Sequence, residues 1–80
     1  MTYQELKNLI KKKNYQIIEE YNNGFLHELG FKKRKNGNVV YWFCIYSDNF
    51  VRFSHSYSMN TGKTNSGINH GLKITYKLIN

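Results

Sequence analysis

Apolar positions change their rhythm along the 80-residue chain, and the rhythm predicts the elements. Leu6, Leu9 and Ile10 recur at three- and four-residue spacing, an interval that Lys13 continues, so the first segment reads as a helix with one apolar stripe. Thr2 followed by Glu5 fits a capping box, in which the hydroxyl takes an orphan N–H and the carboxylate reaches back to the cap. Lys11, Lys12 and Lys13 fall in the last turn, where the helix dipole favours cations, and Asn14 suits the left-handed position beyond it. A helix of about ten residues is marginal alone, so it is expected to lie on something. The rest of the chain reads as sheet.

Tyr15–Tyr21 forms a short β-rich segment closed by Asn22-Asn23-Gly24. An alternative extends the first helix through Tyr21, restarting its stripe at Ile17 and Ile18. Phe25, His27, Leu29 and Phe31 alternate with Leu26, Glu28, Gly30 and Lys32, which predicts a second strand. Asn36-Gly37 fits a two-residue type I′ hairpin turn. Val39–Ser47 is the strongest strand, apolar on both faces as a central strand is. After Asp48-Asn49, Phe50–Ser58 has a period of two: Val51, Phe53, His55 and Tyr57 face one way, Arg52, Ser54, Ser56 and Ser58 the other. Met59–Gly71 reads as a loop, long for a compact domain. Leu72, Ile74, Tyr76 and Leu78 then alternate with Lys73, Thr75 and Lys77 as a last strand.

Turns this short leave no room for crossovers. The expected architecture is α+β: an N-terminal helix packed on a mostly antiparallel, strongly twisted sheet of about four to five strands, one domain over residues 1–80. The helix is expected to cover Val51, Phe53 and Tyr57 together with Leu72, Ile74, Tyr76 and Leu78. At about 15 Å it cannot cover both faces. The uncovered aromatic face is then buried by curling of the sheet into a partial barrel or by a second copy. Curling, and hence a monomer, is favoured, because Gly and Asn turns permit strong twist and +7 on each copy opposes self-association.

Charge narrows the partners. Twelve Lys and Arg against five Asp and Glu favour nucleic acid, an anionic membrane or an acidic protein as partner, and exclude an acidic mimic of DNA. Eleven Asn, ten Lys, seven Tyr and seven Ile, with no Ala or Pro, mark AT-rich codon usage, which by itself raises the lysine count. A lone cysteine, Cys44, fits a reducing cytoplasm better than a secreted domain. No apolar run approaches the roughly 20 residues of a membrane helix, and the stripe of the first helix is too small to insert, so no membrane partner is expected.

Candidate chemistry follows from these placements. Arg52, Lys73 and Lys77 are expected on the outward sheet face beside the aromatic rings of the central strand, Trp42 or its neighbours. Rings that stack bases beside cations that neutralise phosphates hold unpaired strands without a sequence code. Lys32, Lys33, Arg34 and Lys35 form the densest basic run, next to a hairpin tip. The segment Asn60–Gly71, with Lys63, offers many donors to an anion. Its Gly62-Lys63-Thr64 lacks the earlier glycine and the following helix of a phosphate-binding loop.

His27, His55 and His70 show no metal-ligand spacing, and Cys44 stands isolated, so no metal or cofactor is expected. His27-Glu28 with His55 is the one conceivable acid–base set of a small ribonuclease. It fails on facing, because His55 points inward and Glu28 points away from His27. The chain is therefore expected to be non-enzymatic.

In size, composition and lack of catalytic signatures the chain is similar to small accessory proteins of phages and mobile elements in AT-rich bacteria. The leading expectation is a small basic nucleic-acid-binding protein of low sequence specificity, touching a DNA or RNA backbone. The alternative is a phage or mobile-element protein that binds and inhibits or regulates a host protein.

Overall fold

The computed structural model describes residues 1–22 and 27–80. The expected turn at Asn23-Gly24 and the start of the second strand at Phe25 and Leu26 lie outside them. Along the chain run α1 (Tyr3–Lys12), β1 (Gln16–Asn22), β2 (His27–Lys32), β3 (Val39–Ile45), β4 (Val51–Ser58), β5 (Thr64–Asn65) and α2 (Ile68–Ile79). The five strands pair antiparallel in sequence order, β1-β2-β3-β4-β5. The fold is α+β, with a helix at each end of the chain.

α1 forms where the sequence places it. Thr2 Oγ1 accepts the Glu5 N–H at 3.2 Å and so satisfies one orphan donor of the first turn. At the other end Asn14 takes φ 62°, and the N–H groups of Tyr15 and Asn14 donate to Ile10 and Lys11 carbonyls, each at 3.0 Å. That is a Schellman ending, and it stops the helix before Tyr21. Leu6 and Ile10 are fully buried.

α2 replaces the expected last strand, and the expected loop is largely structured. Residues 59–63 turn, with Gly62 at φ 72°, and Thr64–Asn65 pair with β4 before the chain enters α2. Residues 72–78 satisfy both periods: alternation makes Leu72, Ile74, Tyr76 and Leu78 a strand face, while Gly71, Ile74 and Leu78 make a helix face. Packing decides between them. Gly71 lies so close to Phe53 that a Cβ would stand 2.8 Å from the ring, an approach that seats α2 against β4. Ile74 and Leu78 then close over the core.

Both helices cover one face of the sheet. The core on that side joins Leu6 and Ile10 of α1, Leu29 and Phe31 of β2, Phe43 and Ile45 of β3, Val51 of β4, and Ile74 and Leu78 of α2. Burying each such side chain is worth about 1.5–3 kcal/mol. Lys7 and Tyr3 clamp α1 to the sheet: Lys7 Nζ lies 3.1 Å from Glu20 Oε1 of β1, and the Tyr3 ring packs on His27 of β2 with centroids 4.4 Å apart. The sheet stays open, because β1 and β5 stand at opposite edges, so the expected curling into a partial barrel does not occur.

Two bulges alter the facing of the strands. Pairing shifts between Ile17 and Glu19 in β1 and opposite Trp42/Phe43 in β4, where Ser54 is the extra residue. An unpaired residue reverses the alternation beyond it. Val51 and Phe53 therefore point to the helices as expected, but His55 and Tyr57 turn to the open face and Ser56 turns inward. There Ser56 is buried and hydrogen-bonded to His70 Nε2 at 2.8 Å. The turn between β2 and β3 also differs from expectation. It spans residues 33–38, the Gly37 N–H donates to the Arg34 carbonyl at 3.0 Å, and neither Asn36 nor Gly37 has the positive φ of a type I′ turn.

Candidate nucleic-acid interface

The open face is built on β3 and its neighbours. Val40, Trp42 and Cys44 alternate outward from β3. Across from them lie Tyr57, His55 and Arg52 on β4, and Gly30 and Glu28 on β2. The Trp42 ring lies over Gly30, where a Cβ would stand 2.8 Å from it, so only glycine leaves it room. On the other side its plane is within 22° of His55, with centroids 6.3 Å apart. Ser54 Oγ lies 2.9 Å from His55 Nδ1 and fixes that ring in turn. Trp42 is half-buried, while Tyr21 and Tyr57 are exposed.

Arg52 shares this face with Trp42, as expected, but it is engaged locally. Its guanidinium lies 3.3 Å from Asp48 Oδ2 and 4.5 Å from the centre of the Tyr46 ring. The Phe50 N–H, and then Arg52, hold the Asp48 carboxyl below its ordinary range. Glu28 sits beside Cys44, whose Sγ is 3.7 Å from Glu28 Oε1. Burial pushes the Cys44 thiol up, away from thiolate chemistry. Lys73 and Lys77 do not join Arg52. They are exposed on α2, on the helix-covered side of the sheet, because their segment is not a strand.

The stronger feature is a charge pole at one end of the sheet, which sequence reasoning found only in pieces. Lys11–Lys13 end α1 just before β1, whose first residue Gln16 pairs with Lys32. Lys33, Arg34 and Lys35 form the adjacent turn. Asn38 of that turn accepts the Met59 N–H at 2.7 Å, and Ser58 donates to the Lys63 carbonyl at 2.9 Å, which brings Lys63 to the same end. Eight of the twelve cations thus gather at this pole.

The carboxylates lie elsewhere. Glu5 is in the first turn of α1, Glu19 and Glu20 are midway along β1, and Glu28 and Asp48 are toward the far end. Among the described residues the ion pairs are Lys7–Glu20 and Arg52–Asp48, and neither uses a cation of the pole. The residues that unite the pole are far apart in sequence, so only strand register could reveal it.

Within the pole, side chains settle differently. Lys32 Nζ donates to the Lys35 carbonyl at 3.0 Å and braces the turn. Lys33 Nζ lies 5.1 Å from the Tyr41 ring centre, a cation–π contact. Arg34, Lys35 and Lys63 are exposed. Beside Tyr41 opens a cleft of about 530 Å³ that Ser56, Lys63, Thr64 and His70 also line, with no carboxylate among its lining residues. Burial raises the Tyr41 phenol, so it stays a neutral donor.

His27 faces the helices and His55 faces the open side, so the sheet separates the two histidines of the conceivable ribonuclease set. No group of three His, Cys, Asp or Glu that could hold a metal gathers among the described residues. Among those residues, too, no helix is long and apolar enough to cross a membrane. Compared with known proteins, the chain matches no family model, no curated protein and no solved structure.

Proposed function

We propose that this protein binds the backbone of a nucleic acid at its basic pole, with low sequence specificity and without catalysing a reaction. The observation that carries the reading is the segregation of charge: eight cations, none of them in an ion pair among the described residues, stand at one end of the sheet, drawn from the end of α1 and its C-cap, the end of β2, the β2–β3 turn and the β4–β5 turn. A scattered excess of lysine from codon usage gives no reason for this separation. Cations that neutralise phosphates release condensed counterions, and that release drives association. From the pole the open face continues through Tyr57 to Trp42 and His55. A single strand leaving the pole meets these rings, whose faces accept bases regardless of sequence.

The test is titration of fluorescent single- and double-stranded oligonucleotides at two salt concentrations. Replacing Lys33, Arg34 and Lys35 together with Ala is expected to lower the slope of log K against log salt by about two to three for duplex. The Lys73→Ala/Lys77→Ala variant, altered on the helical side, should leave that slope nearly unchanged. Lack of binding at about 100 μM protein and 50 mM salt, the weak end of non-specific affinity, overturns the proposal. So does an equal loss of slope in the two variants.

A further inference from the structure

α2 is apolar on two sides, and only one of them is used. Gly71, Ile74 and Leu78 are buried, whereas Ile68, Leu72, Tyr76 and Ile79 are 83, 65, 68 and 55% exposed. At 3.6 residues per turn these four fall within an arc of about 80°, and Lys73 and Lys77 lie well outside it. Ile68, Leu72, Thr75 and Ile79 also follow a four-three-four spacing, the seam by which two helices pair side by side.

Large side chains carry roughly 150–250 Å² each. At these exposures the four present on the order of 500 Å², near the upper limit for the largest apolar patch of a typical monomer. The stripe has room at both ends. Ile79 borders an open groove of about 470 Å³ with Met1 and Leu9, and Ile68 and Leu72 border one of about 370 Å³ with Val51 and Phe53. Val51 begins β4 and its N–H donates to the Met1 carbonyl at 2.9 Å, so these grooves lie toward the end of the sheet opposite the basic pole.

We infer that α2 pairs antiparallel with α2 of a second copy of this chain, forming a two-fold dimer. An isologous contact requires that if one residue meets another, the second meets the first. The seam meets that condition. A two-fold axis between Lys73 and Ile74 sets Ile68 against Ile79 and Leu72 against Thr75 in both halves.

Charge agrees. The seam itself holds no ionisable side chain, its lysine neighbours on α2 point away from it, and the grooves at its two ends hold one charge of each sign, Glu5 beside Ile79 and Arg52 beside Ile68, which antiparallel pairing brings toward each other. Pairing at the end away from the cations keeps the two basic poles apart, which answers the objection that +7 per copy opposes association. With Met1 and Leu9 added, the stripe reaches the low end of the specific-interface range, roughly 600 Å² per partner. The dimer stands whether or not the pole binds nucleic acid. If it does, one dimer holds two strands or two segments of one.

The test is sedimentation of the full chain up to about 500 μM, a range that detects weak pairing, at low and high salt. The expected result is a monomer–dimer equilibrium that tightens with salt, and a monomeric Leu72→Glu variant whose helical circular dichroism is unchanged. In a Cys44→Ser background, Ile68→Cys mixed with Ile79→Cys should cross-link faster than either alone. A wild-type chain that stays monomeric at both salts overturns the inference. Persistence of the dimer in Leu72→Glu, or faster cross-linking of Ile68→Cys to itself, does so as well.

Discussion

The two helices lie on the same face of the sheet and differ in how much of their apolar surface that position uses. α1 commits Leu6 and Ile10 fully to the core and is closed at both ends by bonded caps. α2 commits Gly71, Ile74 and Leu78, leaves four large apolar residues in solvent, and starts at Gly67 with no side-chain cap. The contrast teaches that burial and local stop signals make α1 a finished element of the monomer. α2 is held by contact with β4 and carries a surplus that the monomer does not need.

The largest expected effect separates the two sides of α2. Leu78 is 2% exposed, and Leu78→Ala should cost about 2–4 kcal/mol through lost transfer energy and a cavity. Leu72→Ala, on the exposed side, should change stability by less than about 0.5 kcal/mol in urea titrations at low micromolar protein. Equal costs would erase the distinction between used and surplus faces.

A smaller effect compares the helix starts. Thr2→Ala should destabilise by about 1 kcal/mol, because the Glu5 N–H loses its acceptor. Gly67→Ser supplies the cap that α2 lacks and should stabilise by a few tenths of a kcal/mol. Thermal melts of both variants check the opposite signs.

The smallest effect concerns the ion-paired clamp that holds α1, where α2 has instead the hydrogen bond between His70 and Ser56. The Lys7 ammonium, with the Tyr3 hydroxyl, holds the Glu20 carboxyl below its ordinary value of 4.5. Stability from Glu20 is therefore complete above that value and is lost as pH falls through the lower, folded one. Burial, with Glu20 beside it, pushes the Tyr3 phenol up to about 12, so its share is complete below the ordinary 10 and is lost as pH rises toward 12. Both side chains are more than a third exposed, which limits the acid-side contribution to less than about 1 kcal/mol. Lys7→Ala should flatten the acid limb of a pH–stability curve, and Tyr3→Phe should flatten the alkaline one.

Much of this fold is legible in the sequence. The signals for α1 are local: a cap, a stripe and a residue suited to positive φ at Asn14. β3 is equally plain, because an apolar strand on both faces has few other places to go. α2 was open to misreading because Leu72 to Leu78 contains both periods and lacks a capping residue, so the decision fell to Gly71 packing on Phe53. Neither of the bulges, at Ile18 and Ser54, has a local signature. Each exists because the flanking halves of its strand satisfy different neighbours. Of the candidate residues, Trp42 and Arg52 share the open face, and Lys33–Lys35 form the turn that Lys32 leads into. Lys73 and Lys77 went to the wrong side with their helix, and the joining of Lys11–Lys13 and Lys63 to the pole needed the strand register.

The extra residue in β4 gives the gene an asymmetry between two kinds of change. Substituting Ser54 alters one half-buried side chain and its bond to His55 Nδ1. Deleting its codon joins two half-strands whose facings were set independently, and the whole segment beyond it inverts. His55 and Tyr57 would turn beneath the helices, and Ser56 would leave its bond to His70 for solvent. One lost triplet would thus strip the rings from the open face and place a polar aromatic in the core. For this protein the loss of that one residue reverses facings that no single replacement in β4 reverses.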